Sequence, residues 1–180
     1  MRLDQRVAIV TGGSSGIGRA ICLDFAQSGA SVVVADVQEA PKQGIYHEQD
    51  TVTTTTQEVE NLGGKAVFVQ TDVAHEDSVR SLVDATVAKY GGVDIVVNNA
   101  GIYIPGDSQQ LSTQDWDRVI GVDFRSVFLL TKYAAPHLMR SRAGRIINIG
   151  SVHSFRGGAG PAYAPAKAAV VNLTRDSATE

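Results

Sequence analysis

Features of secreted and membrane proteins are absent from this chain of 180 residues. Its single cysteine, Cys22, cannot form an internal disulfide, which fits a reducing compartment. No apolar run approaches the ~20 residues that a membrane helix needs. Arg2, Asp4 and Arg6 break up the first residues, and no apolar run follows a basic start as it does in a secretory signal. We therefore expect a cytoplasmic protein without a membrane partner.

Charge and histidine spacing exclude two further classes of site. With 16 basic and 19 acidic residues the net charge is -3, so the chain has no basic surface suited to a nucleic acid. The four histidines show no metal-ligand spacing, and we predict no metal site. A hydrophobic content of 43% and 18 glycines favour one globular domain over residues 1–180.

Short apolar runs alternate along the chain with segments of helical periodicity. Runs of this kind are typical of strands buried on both faces of a parallel sheet. The predicted strands cover residues 7–10, 31–35, 66–69, 95–97 and 145–149. Helices are predicted from Ile17 towards Gly29, from about Glu76, and over about 113–139 and 163–180. This alternation predicts a doubly wound, Rossmann-type α/β fold, with helices on both faces of the sheet.

Residues 38–57 do not fit that alternation. They are polar and contain Pro41, Gly44 and a run of four threonines at residues 53–56. We predict a solvated surface loop inserted between the second strand and the next helix, and a functional loop is the alternative.

A glycine-rich segment, Thr11-Gly-Gly-Ser-Ser-Gly-Ile-Gly18, links the first strand to the first helix. Glycines there permit positive φ angles and let the backbone N–H groups of a helix start approach a pyrophosphate. The alternative is a tight turn without a ligand. The residues predicted to bind a dinucleotide here are Thr11, Gly12, Ser14, Ser15, Gly16, Ile17 and Gly18.

Asp36 ends the second strand, 18 residues after Gly18. An acidic side chain at that place can hydrogen-bond an adenosine ribose and would repel a 2′-phosphate. Val37 follows it and offers no positive charge. We therefore predict NAD in preference to NADP.

Five motifs in this order resemble those of the short-chain dehydrogenase/reductase family. Besides the glycine segment these are Asp72-Val73, Asn98-Asn-Ala-Gly101, Ser151 and Tyr163-Ala-Pro-Ala-Lys167, which follow the third, fourth and fifth strands. The resemblance implies that cofactor contacts come from Asp72, Val73, Asn99, Ala100, Gly101, Tyr163 and Lys167. It also implies an oxidoreductase that moves a hydride between NAD(H) and a secondary alcohol or ketone.

The chemistry of the last motif follows from helix geometry. Tyr163 and Lys167 are four residues apart and share one helix face. A lysine ammonium beside the ring favours the phenolate, so that Tyr163 can act as the general acid and base. Ser151 would then hydrogen-bond the substrate oxygen and orient it. The alternative is an ordinary surface pair.

Asp123 departs from the family pattern, which often has Asn at this place in the long helix. An ionised Asp123 would pair with Lys167 and weaken its effect on Tyr163. The alternative is that Asp123 accepts the same hydrogen bonds with little consequence.

Family chains normally continue beyond the Tyr-x-x-x-Lys helix, with further strands and a lid over the substrate. We expect the sheet here to lack those last strands and to expose the edge of the fifth strand. A second hypothesis is therefore a truncated, catalytically impaired NAD-binding or assembly module. The resemblance also implies a homo-oligomer formed through the helices at about 113–139 and 163–180.

Overall fold

A computed structural model describes residues 3–43 and 51–180 of the chain. Its strands are β1 (Val7–Thr11), β2 (Ser31–Asp36), β3 (Lys65–Gln70), β4 (Ile95–Asn98) and β5 (Arg145–Asn148). Its α-helices are α1 (Gly16–Gln27), α2 (Thr55–Asn61), α3 (Glu76–Tyr90), α4 (Thr113–Ile120), α5 (Ser126–Leu138) and α6 (Gly160–Ser177). Apart from α2, each predicted element is present to within a few residues.

The five strands form one parallel sheet in the order β3-β2-β1-β4-β5. Val10 of β1, for example, lies beside Val34 of β2 and Val97 of β4. The chain leaves β1 in one direction towards β2 and β3, and later returns on the other side to form β4 and β5. This reversal opens a crevice at the carboxyl ends of β1 and β4, where ligands of such sheets bind.

Side chains of the central strands alternate between two apolar layers. Ile9 and Val96 pack against α3 and α5 on one face of the sheet. Val10 and Val97 pack against α1 and α2 on the other. Both faces are therefore covered, which confirms the predicted doubly wound α/β fold.

The predicted loop over residues 38–57 is wrong at its end, because α2 already begins at Thr55. The side chain of Thr54 accepts from the Gln57 N–H, and the Gln57 side chain accepts from the Thr54 N–H. This capping box satisfies donors that the helix start would otherwise leave free. Residues 44–50 of the predicted loop lie outside the described residues.

The threonine run is packed against the glycine segment instead of being fully solvated. The buried Thr55 hydroxyl donates to the Gly13 carbonyl at 2.9 Å. Arg19 of α1 donates to the Thr53 carbonyl at 2.9 Å. Hydroxyl groups that find such partners can be buried at little cost, which a reading of polarity alone cannot foresee.

The long helix predicted over 113–139 is divided by one wide π-helical turn, Gly121–Arg125, between α4 and α5. Such turns arise from an extra residue in the helix and often occur at functional sites. Here the turn carries the completely buried Asp123.

At the far side of the sheet, β5 pairs only with β4 among the residues that the structure describes. Ile147 is 41% exposed on this edge strand. The expected open edge is therefore present. In the part of the chain that is described, no helix is long and apolar enough to cross a membrane.

Candidate active site

A cleft of about 1020 Å³ lies at the carboxyl ends of the strands. Ten of the residues predicted to contact a dinucleotide line it, and they come from four separate parts of the chain. They are Gly12, Ser15, Gly16, Ile17, Asp36, Asp72, Val73, Asn99, Ala100 and Gly101.

The glycine segment has the shape that a pyrophosphate requires. Gly12 and Gly16 adopt positive φ angles of 64° and 53°, and a Cβ at Gly18 would overlap the carbonyl oxygen of Gly12. Ser15, the N-cap residue of α1, makes no side-chain capping hydrogen bond. The N–H groups of the first helical turn are therefore available to a phosphate, and these residues fit the dinucleotide.

Thr11, Ser14 and Gly18 are buried and do not line the cleft. The Thr11 hydroxyl donates to the Val97 carbonyl at 3.3 Å and accepts from the N–H groups of Asn99 and Ala100 at 3.0 and 3.1 Å. This contact joins the end of β1 to the segment that follows β4. The structure thus gives Thr11 a place behind the binding surface.

Ser14 has a similar supporting place. Its backbone N–H donates to the Asp36 carboxylate at 3.2 Å. Its hydroxyl donates to the Gln38 carbonyl at 2.7 Å. Ser14 therefore connects the glycine segment to Asp36 and to the residues that follow β2.

Lys42 is a residue of the cleft that the sequence reasoning missed. Its ammonium lies 3.6 Å from the Asp36 carboxylate, and its backbone N–H donates to the Ser15 hydroxyl at 2.6 Å. The prediction of NAD over NADP took account of Val37, the neighbour of Asp36 in sequence, but not of the positive charge of Lys42. Pro41, which precedes Lys42, was the signal for a turn that could bring a later residue back to Asp36.

Tyr163 and Lys167 lie one turn apart on α6, as their spacing predicted. The Lys167 ammonium is 5.8 Å from the centre of the Tyr163 ring and donates to the Ile149 carbonyl at 3.1 Å. The ring also meets Tyr103 and His153 edge-on, at centroid distances of 5.7 and 6.4 Å. Tyr163 is therefore held within an aromatic group that spans three segments of the chain.

Asp123 forms a buried ion pair with Lys167, with 3.4 Å between carboxylate and ammonium. One carboxylate oxygen accepts from the Ile102 N–H at 2.8 Å, and the other has no hydrogen bond. Burial raises the pKa of the Asp123 carboxyl, while the Lys167 charge and the Ile102 N–H act against that rise. The Lys167 ammonium therefore lies close to both the Asp123 carboxylate and the Tyr163 ring.

Ser151 begins a short 3₁₀ turn, Val152–Ser154, that packs on α6. Its hydroxyl oxygen accepts from the His153 N–H at 3.1 Å. The turn is fastened to α6 because the Ser154 hydroxyl donates to the Lys167 carbonyl at 2.9 Å.

Gly101 is the point where the cleft meets this second group of residues. Ser151, Tyr163, Lys167 and Asp123 do not line the cleft themselves. A Cβ at Gly101 would lie 3.0 Å from an Asp123 carboxylate oxygen and 3.5 Å from the Lys167 ammonium. A dinucleotide in the cleft would therefore end beside the ion pair.

The short chain dehydrogenase family model matches residues 6–180. The chain belongs to the short-chain dehydrogenase family. It is 43% identical over its whole length to (+)-borneol dehydrogenase 2 of Salvia officinalis. Over 99% of its length it is 35% identical to 2-dehydro-3-deoxy-D-gluconate 5-dehydrogenase of Escherichia coli.

The fold of this short-chain dehydrogenase also matches solved structures of the family. A short-chain type dehydrogenase/reductase from Mycobacterium marinum superposes with a TM-score of 0.87 over 99% of the chain, at 31% identity. The chain spans 61% and 66% of the two relatives and 68% of this structure.

Within residues 3–43 and 51–180, no three His, Cys, Asp or Glu side chains come together in a way that could hold a metal ion. The charged group over the Tyr163 ring is the Lys167 ammonium, 5.8 Å from the ring centre and paired with Asp123.

Proposed function

We propose that this chain carries the cofactor-binding and proton-transfer parts of an oxidoreductase that acts on a secondary alcohol or ketone with NAD(H). The observation that carries the proposal is the position of the Tyr163–Lys167 pair. Gly101 lines the same cleft as the glycine segment, and a Cβ on it would lie 3.5 Å from the Lys167 ammonium. A dinucleotide and a general acid/base would therefore meet at one place.

The dinucleotide, when bound, would take a hydride from the carbinol carbon or return one to the carbonyl carbon. During oxidation the substrate loses a C–H hydrogen with its electron pair and an O–H proton, and its C–O bond becomes C=O. The phenolate of Tyr163 accepts the proton. Lys167 supports the phenolate through its positive charge, and reduction follows the reverse course.

Ser151 would orient the substrate oxygen. The oxygen of its hydroxyl already accepts from the His153 N–H, so the hydroxyl hydrogen is free to donate. Such a donor stabilises the charge that develops on the oxygen during transfer.

NAD is the proposed cofactor because Asp36 stands at the end of β2, where an adenosine ribose would lie. We further propose a cytoplasmic homo-oligomer. Its contacts would involve α4, α5 and α6, and Phe128 of α5 is 50% exposed.

The test is turnover of a panel of secondary alcohols with NAD⁺, and the absorbance of the NADH formed measures the rate. Tyr163→Phe removes only the proton-carrying oxygen, and we expect kcat to fall by about 10²–10⁴-fold. Calorimetry should show that NADH still binds to this variant. Tyr90→Phe in α3, outside the site, is the matched control and should keep full activity.

Two results would contradict the proposal. Equal turnover by Tyr163→Phe and the unchanged chain would exclude the assigned proton transfer. Tight NADH binding by the unchanged chain, without turnover of any alcohol or ketone, would favour the alternative of a catalytically impaired NAD-binding module.

A further inference from the structure

We propose that Lys42 is a cofactor-specificity residue: it lets the cleft bind a 2′-phosphorylated dinucleotide as an alternative to the unphosphorylated one. This inference rests on the function proposed above, because it concerns the same adenosine end of the cleft. Asp36 would set a preference for NAD over NADP, and Lys42 would make that preference smaller.

Lys42 is held in place by its backbone as well as by its charge. Its N–H donates to the Ser15 hydroxyl at 2.6 Å, and the nearby Gln38 carbonyl accepts from the Ser14 hydroxyl at 2.7 Å. Both serines belong to the glycine segment. The segment from Gln38 to Lys42 is therefore folded back onto the glycine segment.

Three groups compensate the negative charge of the Asp36 carboxylate. Its side chain is only 4% exposed, and its carboxylate accepts from the N–H groups of Ser14 and Val37 at 3.2 and 2.8 Å. The Lys42 ammonium lies 3.6 Å away. A 2′-phosphate is an anion at neutral pH, and an uncompensated Asp36 would repel it. The ion pair is formally neutral and removes most of that repulsion.

Lys42 can also turn towards a phosphate. Its side chain is 40% exposed and lines the cleft, and a flexible four-carbon stem carries the ammonium. With the unphosphorylated dinucleotide, the same ammonium competes with the ribose hydroxyls for Asp36. The two effects act in opposite directions on the two ligands, which is the property of a specificity residue.

The experiment compares calorimetric dissociation constants of the whole chain for NAD⁺ and NADP⁺. Lys42→Gln keeps the backbone donor to Ser15 but removes the charge. We expect NADP⁺ binding to weaken about tenfold and the NADP⁺/NAD⁺ ratio of dissociation constants to rise at least as much. Lys42→Arg keeps the charge and should retain the original ratio. The difference between Lys42→Gln and the unchanged chain should shrink as salt is added.

Lys89→Gln is the matched control, because Lys89 is exposed in the last turn of α3, which leads into the opposite end of β4. Its ratio should not change. An unchanged ratio for Lys42→Gln, or an equal loss of both ligands, would overturn the role of Lys42 while leaving the proposed function intact. Failure of the unchanged chain to bind either dinucleotide would overturn both.

Discussion

The pair of Asp123 and Lys167 places two opposite charges almost out of contact with water. The charge on Asp123 partly cancels that of Lys167 as seen from Tyr163. Replacement by Asn would keep an oxygen to accept from the Ile102 N–H and would remove the negative charge. The two forms therefore differ in the field at the Tyr163 ring and little in shape.

Asp123→Asn should move the pH–rate profile of the proposed dehydrogenation to lower pH. Lys167 would then favour the phenolate of Tyr163 without an opposing charge, and we expect a shift of about one pH unit, or about 1.4 kcal/mol. The measurement is kcat/KM for one alcohol as a function of pH. Asp84→Asn, on the exposed face of α3, is the charge-matched control. Coincident profiles would show that Asp123 serves only as a hydrogen-bond acceptor.

Cys22 should be inert while the chain is folded. It lies buried in α1, and burial raises the pKa of its thiol to about 12. Little thiolate is then present for alkylation. We expect iodoacetamide at pH 8 to label Cys22 only as fast as the chain unfolds, with rapid labelling in urea, measured by mass spectrometry. Fast labelling without urea would contradict the buried position.

At the scale of elements, Asp94 joins three parts of the sheet at the ends opposite the cleft. It precedes β4, accepts from the Val7 N–H at the start of β1 at 2.9 Å, and accepts from the Ser141 hydroxyl before β5 at 2.5 Å. Arg6 donates to it at 3.1 Å. Burial alone would raise the pKa of Asp94, but these three donors outweigh it and lower the pKa below the ordinary value.

Asp94→Asn should lower the free energy of unfolding by about 1–3 kcal/mol at pH 7, because Asn offers these donors fewer and weaker acceptors. Since the pKa of Asp94 is lowered by folding, its ionised form stabilises the native state at pH values above its ordinary value of 3.8. That contribution is lost as the pH falls below 3.8 through the lower, folded-state pKa.

Urea unfolding of both proteins at pH 7 and near pH 3 measures this difference. The gap between the unchanged chain and Asp94→Asn should be smaller at the acid pH. Asp24→Asn, exposed on α1, should show no gap at either pH. A gap that grows towards acid would contradict the assigned hydrogen bonds.

At the scale of the whole molecule, two surfaces are candidates for the contact between copies in the proposed homo-oligomer. One is the helical surface with the exposed Phe128, and the other is the open edge of β5 with Ile147. We expect the helical surface to dominate, because it offers side chains from packed helices, whereas the strand edge offers mainly backbone groups.

Phe128→Lys should therefore weaken self-association by about tenfold or more, as loss of a central aromatic contact does. Sedimentation velocity at several concentrations measures it. Ile147→Lys should leave association unchanged, and so should Leu62→Lys, an exposed apolar residue at the end of α2. Dissociation caused by Ile147→Lys alone would assign the contact to the strand edge.

The sequence by itself determined the alternation of strands and helices and the parallel sheet. Apolar runs that are buried on both faces are visible as patterns, and short connections leave few ways to arrange them. It also determined that Tyr163 and Lys167 share a helix face, since a spacing of four is a property of the helix alone.

Only the tertiary structure decided how distant or irregular segments meet. The Asp36–Lys42 contact depends on the path of a turn without periodicity, and the burial of Thr55 depends on partners in the glycine segment. The π-turn that carries Asp123 adds a residue to a helix whose pattern predicts none. These contacts arise from packing between segments, because hydrogen bonds and ion pairs follow distances in space that sequence spacing does not record.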